Sequence, residues 1–442
     1  MTEQVQTLEK ASVKIDWSSL WKKEDWWAVW IGFAILLLGA AQWLPSLPQI
    51  SKWTRLTESF PAGIGTIGPA ALLFVFIGAV TLIAMAFIRK NIRQYLAGFL
   101  VVFGLSFLAM WIGKYATLSK WGLETVLWAL ALGLLISNIW HIPAWLKAAV
   151  QTEFFIKIGL VLLGAEILFS TIVKAGIFSM GQALLVVVAV WFFAYWIARR
   201  FGLDKSFSSI MASGVSICGV SAAIAAGGAV KGEPKHISHV ISLVLLLAMP
   251  MLVAMPLLAK AMGLSPAVAG AWMGGTIDTT AAVAAAGTLV DPNAGLQVAS
   301  LVKMSQNVLI GFAAFLLAIW STFSVARNKN AEKPRLVEIW YRLPKFIIGF
   351  VAASLIFSFI VEPSLGAKAT STAIALTSGY RGWFFALAFV SIGLDTRFKD
   401  LIAEGRGRPA AAFVTAQLAN VAWALLVVWL LWSGTFFASP IT

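Results

Sequence analysis

The residues with the clearest potential for chemistry lie in one apolar stretch, residues 213–230, which holds four glycines, three serines and the only cysteine of the chain. Glycine weakens a helix by roughly 1 kcal/mol relative to alanine. Ser216, Ile217, Cys218 and Gly219 therefore predict a break, with a new helix starting near Ser221. A helix start inside a membrane presents unpaired N–H groups and partial positive charge, which favours an anion site. Close packing of helices through small residues explains the same composition.

A second break is predicted around Asp278, a carboxylate inside an otherwise apolar segment that begins with Gly274 and Gly275. A charged residue at membrane depth is a functional candidate by default. The hydroxyls of Thr276, Thr279 and Thr280 surround it. Together these oxygens predict a site for Na⁺, or for a proton on the carboxylate. The alternative is that an Asp or Thr here caps the half-helix that begins near Ala281.

Polar side chains of the next apolar segment could complete such a site. Lys303 could pair with Asp278 or add positive charge to an anion site, and Asn307, after Gln306, could hydrogen-bond a substrate. The alternatives are that Lys303 extends to the membrane surface and that the amides bridge helices. For Glu153, Lys157, Glu166 and Asp395 we expect helix-end or interfacial anchoring.

Other classes of chemistry have no counterpart in the sequence. The stretch Gly-Gly-Ala-Val-Lys-Gly at residues 227–232 lacks the spacing and the Gly-Lys-Ser/Thr ending of a phosphate-binding loop. One cysteine and three histidines exclude an intrachain disulfide and leave little for a metal site. We therefore expect no enzyme, no metal and no cofactor other than a coupling Na⁺ or H⁺. The net charge of +14 does not require nucleic acid, because orientation in a membrane demands basic loops.

The elements that position these residues must be membrane helices. The chain has 442 residues, 60% of them hydrophobic, and many apolar windows are long enough to cross ~30 Å of hydrocarbon. We predict an all-α polytopic membrane protein without a cleavable signal peptide. Candidate spans are residues 26–44, 67–88, 94–113, 122–140, 154–173, 181–199, 208–230, 237–259, 266–288, 296–322, 344–361, 382–397 and 409–432.

The distribution of lysines and arginines orients these spans. Residues 1–25 form a predicted cytoplasmic amphipathic segment, 26–325 a first membrane region, 326–345 a charged cytoplasmic loop, and 346–442 the C-terminal membrane helices. Basic residues then gather on the cytoplasmic side. The broken segments 208–230 and 266–288 could each span or re-enter. The charge rule is compatible with thirteen spans and with eleven spans plus two re-entrant hairpins.

Two internal similarities indicate inverted repeats. Residues 154–176 and 383–405 align at one constant offset, although the predicted topology runs them in opposite directions. The matched pairs are Gly164 with Gly393, Glu166 with Asp395, Phe169 with Phe398, and Gly176 with Gly405. Residues 221–226 likewise resemble 280–285, and Gly228 falls opposite Gly287. Chance similarity between apolar, alanine-rich segments is the competing explanation.

The break at residues 216–226, Ser-Ile-Cys-Gly-Val-Ser-Ala-Ala-Ile-Ala-Ala, resembles the Ser-Ile-Cys-Gly-x-Ser-Ala motif of the sulfate exporter family of bacterial inner-membrane proteins. Residues 122–135, 158–164 and 391–398 support the resemblance, which runs from about residue 95 to 432. The first membrane span lies outside it. The sequence departs from the family where many relatives carry His-Asp and a downstream Gln. Here Ile277 precedes Asp278, and Ala281 or Ala282 stands at the Gln position.

The resemblance implies membership of the cation:proton antiporter and anion transporter superfamily, an inverted-repeat fold and a homodimer in the bacterial inner membrane. It implies secondary transport of a small anion such as sulfate, a related sulfur oxyanion or a sulfonate, coupled to H⁺ or Na⁺. Substrate would bind at Ser216, Ile217, Cys218, Gly219, Ser221, Gly275, Thr276, Lys303 and Asn307, and the coupling ion at Asp278, Thr279 and Thr280. A cation-coupled importer of organic acids, a cation/proton exchanger and a channel are alternatives.

Overall fold

A computed structural model describes residues 18–61, 63–88, 91–120, 125–167, 169–325, 340, 343–397, 399 and 407–437. Across these residues the regular structure is helical, apart from one isolated bridge between Trp53 and Tyr115. Within the described residues, eight helical segments are long and apolar enough to cross a membrane by length and composition alone, and one of them is the broken segment Lys205–Ala229. The prediction of an all-α polytopic membrane protein is therefore confirmed. Residues 1–17 and most of the predicted 326–345 loop lie outside the described residues.

The helices begin and end as follows: α1 Ser19–Lys22, α2 Glu24–Ala40, α3 Ile67–Phe87, α4 Ile92–Gly113, α5 Ala116–Lys120, α6 Thr125–Ile139, α7 Ala144–Lys147, α8 Thr152–Gly164, α9 Phe169–Arg200, α10 Lys205–Ser213, α11 Gly219–Ala229, α12 Pro234–Ala261, α13 Pro266–Thr276, α14 Thr280–Val290, α15 Ala294–Val325, α16 Lys345–Ile356, α17 Glu362–Asp395 and α18 Arg408–Trp432. A π-helical turn, Gly214–Cys218, joins α10 to α11, and another, Phe357–Val361, joins α16 to α17.

The first broken segment, α10 and α11, folds back on itself as a re-entrant hairpin. The chain reverses at Gly219, whose φ of +28° favours glycine. Beyond the hairpin, His236 Nε2 lies 3.8 Å from Asp204 Oδ2, just before α10, and its ring stacks edge-on against Phe207. A Cβ added to Gly232 would lie 2.9 Å from Ser206 Oγ. The two ends of the hairpin are therefore neighbours on the same side of the protein.

The second broken segment, α13 and α14, makes the opposing hairpin. Its turn is extended at Ile277 and Thr279, with ψ angles of 130° and 140°. A Cβ on Gly270, early in α13, would lie 2.5 Å from the carbonyl oxygen of Gly295. A Cβ on Gly287, late in α14, would lie 3.1 Å from the same oxygen. Both ends of this hairpin therefore lie beside the first turn of α15. This geometry favours eleven crossings and two re-entrant hairpins over thirteen crossings.

Two predicted spans have different limits in the structure. Helix α8 ends at Gly164, and the single 32-residue helix α9 starts at Phe169, so the residues of the predicted span 154–173 are divided between two helices and those of 181–199 belong to the second. Helix α17 has a kink at Gly366, where φ is +79°, and continues to Asp395, so it begins well before predicted residue 382. Arg381 lies inside this helix and pairs with Glu166, which follows the end of α8.

The first predicted repeat has a physical counterpart in matching contacts. Helix α8 and the C-terminal half of α17 cross in opposite directions, joined by Arg381 Nε and Glu166 Oε1 at 2.7 Å. Ser354 donates to the Ile167 carbonyl at 2.5 Å, and Ser137 donates to the Thr396 carbonyl at 2.7 Å.

Ile167 and Thr396 are related by the same offset that relates Gly164 to Gly393. A Cβ on Gly164 would meet a backbone carbonyl of α16, and a Cβ on Gly393 would meet one of α6. Helices α6 and α16 therefore support the two crossing helices equivalently. The paired positions Phe398 and Gly405 lie outside the described residues.

Candidate functional site

The tips of the two hairpins meet inside the protein. Gly219 has no side chain at the point of closest approach, and a Cβ there would lie 3.3 Å from both Asp278 Cβ and the Asp278 carbonyl oxygen. Beside it, Cys218 Sγ lies 3.7 Å from Thr280 Oγ1. The break predicted at residues 216–219 lies here, and the new helix starts at Gly219 rather than near Ser221. Glycine suits this position because its φ is positive and because a Cβ would lie 2.4 Å from Val244 Cγ1.

Helix α15 joins both tips through Lys303 and Gln306. Lys303 is 2% exposed, and its Nζ donates to the carbonyl of Ile217 at 2.7 Å and to Gln306 Oε1 at 3.1 Å. Gln306 Nε2 in turn donates to the Gly275 carbonyl at 3.1 Å. The side chain of Lys303 therefore points to the centre of the protein rather than to the membrane surface. Lys303 and Asp278, both described by the structure, do not form an ion pair with each other at the 4.0 Å limit for N to O.

Asp278 is buried without a complete set of partners. Its Oδ2 atom is inaccessible and accepts no hydrogen bond, and the same holds for Asn307 Oδ1. The capping role falls instead to Thr279, whose hydroxyl accepts from the Ala282 N–H at 3.2 Å. Asn307 Nδ2 donates to Thr280 Oγ1 at 3.2 Å, which fixes the direction of its free oxygen. Burying an oxygen without a hydrogen-bond donor is costly.

Three amides that the sequence analysis did not single out satisfy the carbonyls exposed by the breaks. Gln417 on α18 donates to the Thr276 carbonyl at 2.8 Å, and Asn420 donates to that of Val215 at 3.2 Å. Gln182 on α9 donates to the Ala271 carbonyl at 2.7 Å. Backbone groups at membrane depth need such partners. The signal was present in the sequence, since each amide interrupts an otherwise apolar span.

A cavity of about 470 Å³ leads from the predicted cytoplasmic side to the hairpin tips. Cys218, Ser221, Thr280 and Asn307 line its inner end. The remaining predicted site residues do not line it and lie in or behind the hairpin tips: Ser216, Ile217, Gly219, Gly275, Thr276, Asp278, Thr279 and Lys303. The structure therefore brings the predicted residues together, but some of them line the cavity and the others lie behind its lining.

Charged residues surround the mouth of this cavity. Lys157 Nζ lies 2.9 Å from Asp25 Oδ1, 3.2 Å from Glu24 Oε1 and 4.0 Å from Glu153 Oε2. The backbone N–H of Lys345 donates to Asp25 Oδ2 at 3.0 Å. These contacts join the N-terminal ends of α2, α8 and α16, which is more than the helix-end role expected for Glu153 and Lys157 from sequence. The other two predicted anchors lie apart from this mouth: Glu166 pairs with Arg381, and Asp395 lines a small pocket with Lys147.

Two helices start at the inner end of the cavity. Helix α11 starts there, and its N-cap residue, Cys218, provides no side-chain hydrogen bond to the first turn. Helix α14 starts at Thr280 on the facing hairpin. Two helix N-termini contribute partial positive charge, and the buried ammonium group of Lys303 lies directly behind the turn before α11. This arrangement can stabilise an anion that enters from the cavity.

Comparison with known proteins places the chain in a family. The family model described as Conserved hypothetical protein 698 matches residues 97–411. The chain belongs to this family. It is 40% identical over 400 residues to a UPF0324 membrane protein of Rhodopirellula baltica, an alignment that covers 89% of this chain and 73% of the relative. It is 30% identical to a UPF0324 membrane protein of Nitrosomonas europaea, covering 92% and 94% of the two chains. No solved structure matches.

These family relationships extend further than the sequence motifs indicated. The part of this chain that the Nitrosomonas europaea alignment leaves uncovered is shorter than the 96 residues that precede the family match. The alignment must therefore include part of the segment that carries α2 and α3, which the motif-based resemblance excluded. Family membership confirms a multi-pass membrane protein.

Proposed function

We propose that this protein is a secondary transporter of a small anion, sulfate or a related sulfur oxyanion or sulfonate, coupled to H⁺ or Na⁺. One observation carries the proposal: two opposed re-entrant hairpins meet at their tips, beside a buried lysine, at the end of a cavity open to one side. Broken helices that face each other between inverted repeats are typical substrate sites of secondary transporters. The protein is not an enzyme in this proposal, and it functions in the bacterial inner membrane with a cytoplasmic N-terminus.

In the proposed mechanism the anion binds at the start of α11 and α14, where Ser221, Thr280 and Asn307 provide hydrogen-bonding groups in the cavity. Lys303 adds full positive charge from behind the cavity lining. Asp278 binds the coupling ion through its free carboxylate oxygen. Because Asp278 contacts the first hairpin at Gly219, occupancy of one site changes the energy of the other. In the proposed cycle, the hairpins and the crossing helices move so that the site opens first to one side of the membrane and then to the other.

Cation/proton exchange is the second candidate. It is favoured by the unpartnered oxygens of Asp278 and Asn307, which suit a hard cation better than an anion. In this case Lys303 is a structural cation that holds the Ile217 carbonyl.

Ligand-dependent thermal unfolding of detergent-purified protein tests the two candidates. The panel contains sulfate, thiosulfate, taurine and dicarboxylates, each with and without Na⁺ and at two pH values. A ligand at one hundred times its dissociation constant stabilises the folded state by roughly 2.7 kcal/mol. Stabilisation by one sulfur anion, abolished in Ser221→Ala or Lys303→Met, supports the anion transporter. Stabilisation by Na⁺ or pH alone, abolished in Asp278→Asn, supports cation exchange.

A further inference from the structure

An apolar groove on the membrane-facing surface has no role in the proposed transport cycle. It is a cavity of about 490 Å³ between α9 and α15. Val188, Trp191 and Tyr195 line one side, and Leu316 and Trp320 line the other. The two helices run in parallel here, because Trp191 packs beside Leu317 and the Tyr195 ring meets the Trp320 ring edge-on at 6.3 Å.

The length of the groove matches one leaflet of a bilayer. Its lining runs from Leu184 to Tyr195 on α9 and from Leu309 to Trp320 on α15. At 1.5 Å per residue each stretch is about 17 Å long, close to half of the ~30 Å hydrocarbon core. The aromatic residues cluster toward one end, as they do near a membrane interface. A single acyl chain is therefore the ligand whose dimensions fit the groove.

Two arginines mark the interfacial end. Arg199 and Arg200 follow Tyr195 by about one helical turn, so they lie just beyond the groove. Arg200 is exposed, and its guanidinium lies 5.5 Å from the centre of the ring of Trp196, which does not line the groove. Arg199, also exposed, uses Nη1 to bind the Leu203 carbonyl and keeps its other N–H groups. Guanidinium groups at this depth suit a phosphate, and basic sites between helices recognise anionic headgroups.

We propose that this groove binds one anionic phospholipid, with an acyl chain between α9 and α15 and its phosphate at Arg199, one turn beyond Tyr195 on the same helix face. The site lies directly behind the first hairpin, because Val187 and Leu309, which line the groove, pack in one cluster with Ile217 and Cys218. Trp191 also donates from Nε1 to Ser213 Oγ at 3.0 Å. A bound lipid therefore supports the hairpin wall from outside, whichever substrate the protein carries.

Native mass spectrometry of the purified full-length protein, with phosphatidylglycerol or phosphatidylcholine added, tests the headgroup. We expect preferential retention of one phosphatidylglycerol. Arg199→Gln/Arg200→Gln should lower the preference about fivefold, since Arg199 is the one of these two basic side chains on the groove's face of the helix. The control is Arg93→Gln, which removes an exposed arginine from the start of α4 and should leave the preference intact. Equal retention of both lipids, or an unchanged preference in the double variant, overturns the proposal.

Photocrosslinking tests the acyl-chain position without any substitution. Phosphatidylglycerol with a photoreactive acyl chain should label peptides from residues 184–195 and 309–320, and unlabelled phosphatidylglycerol should compete with it. Labelling spread evenly over all membrane-facing helices would contradict a specific site. Absence of labelling in these two stretches, with a dimer detected in the same sample, would show that a second copy of the chain covers the groove and would also overturn the proposal.

Discussion

Replacement of Lys303 by methionine separates electrostatic binding of an anion from structural support. Nζ of Lys303 lies 2.7 Å from the Ile217 carbonyl, just before the helix start that would hold the anion. For an anion about 5 Å from this ammonium group, Coulomb's law at an effective dielectric constant of about 20 gives about 3 kcal/mol per unit of anion charge. A monovalent sulfonate should therefore bind at least a hundredfold more weakly to Lys303→Met, and divalent sulfate should lose about twice as much free energy.

The variant also changes the stability of the fold, so stability is measured beside affinity. Two buried acceptors, the Ile217 carbonyl and Gln306 Oε1, lose a donor, at about 1–3 kcal/mol each. Relief from burying an ammonium group offsets part of this loss. Equilibrium binding of labelled sulfate and of a labelled sulfonate to purified protein gives both affinities, and Lys260→Met, at an exposed lysine, is the control. Wild-type affinity for both anions in Lys303→Met would refute the electrostatic reasoning.

Three further substitutions have distinct outcomes. Asp278→Asn should keep the fold but remove the Na⁺ and pH dependence of counterflow in proteoliposomes, because Oδ2 accepts no hydrogen bond; unchanged dependence would exclude Asp278 from coupling. Gly393→Ala should lower the free energy of unfolding by about 1–3 kcal/mol, since its Cβ would lie 2.4 Å from the Leu130 carbonyl. Gly176→Ala, with open space around it, should be neutral or stabilising in the same chemical denaturation. Lys157→Met should lower the free energy of unfolding by about 1–3 kcal/mol, because it leaves Asp25 without its ion-pair partner. Adding Asp25→Asn to this variant should restore part of the loss. No recovery would mean that the loss of the ion pair does not cause the destabilisation.

Much of the architecture was predictable because membrane helices leave strong signals in sequence. Glycine content and isolated polar residues predict the breaks at Gly219 and around Asp278 and the cap at Thr279 or its neighbours. The charge distribution predicts the opposite directions of residues 154–164 and 383–393. The matching contacts of Ile167 and Thr396 give the repeat a physical meaning that alignment alone did not provide.

The remaining features depend on distances that no local pattern encodes. Whether a broken segment spans or re-enters depends on where its two ends lie, which contacts such as His236 with Asp204 decide. The pairing of Arg381 with Glu166 joins helices far apart in sequence. Gln417 could have been noticed as a polar residue in a span, but its partner, the Thr276 carbonyl, is visible only in three dimensions.

The cavity that ends at the hairpin tips can be tested most directly through Cys218, because it is the only cysteine of the chain and lines the inner end. The measurement is the rate at which a membrane-impermeant thiol reagent modifies Cys218 in inside-out and in right-side-out vesicles, with and without sulfate, thiosulfate or taurine. We predict faster modification from the cytoplasmic side, slowed by the transported anion. Modification that no anion slows, or that occurs equally from both sides, would contradict an anion site at the end of a one-sided cavity.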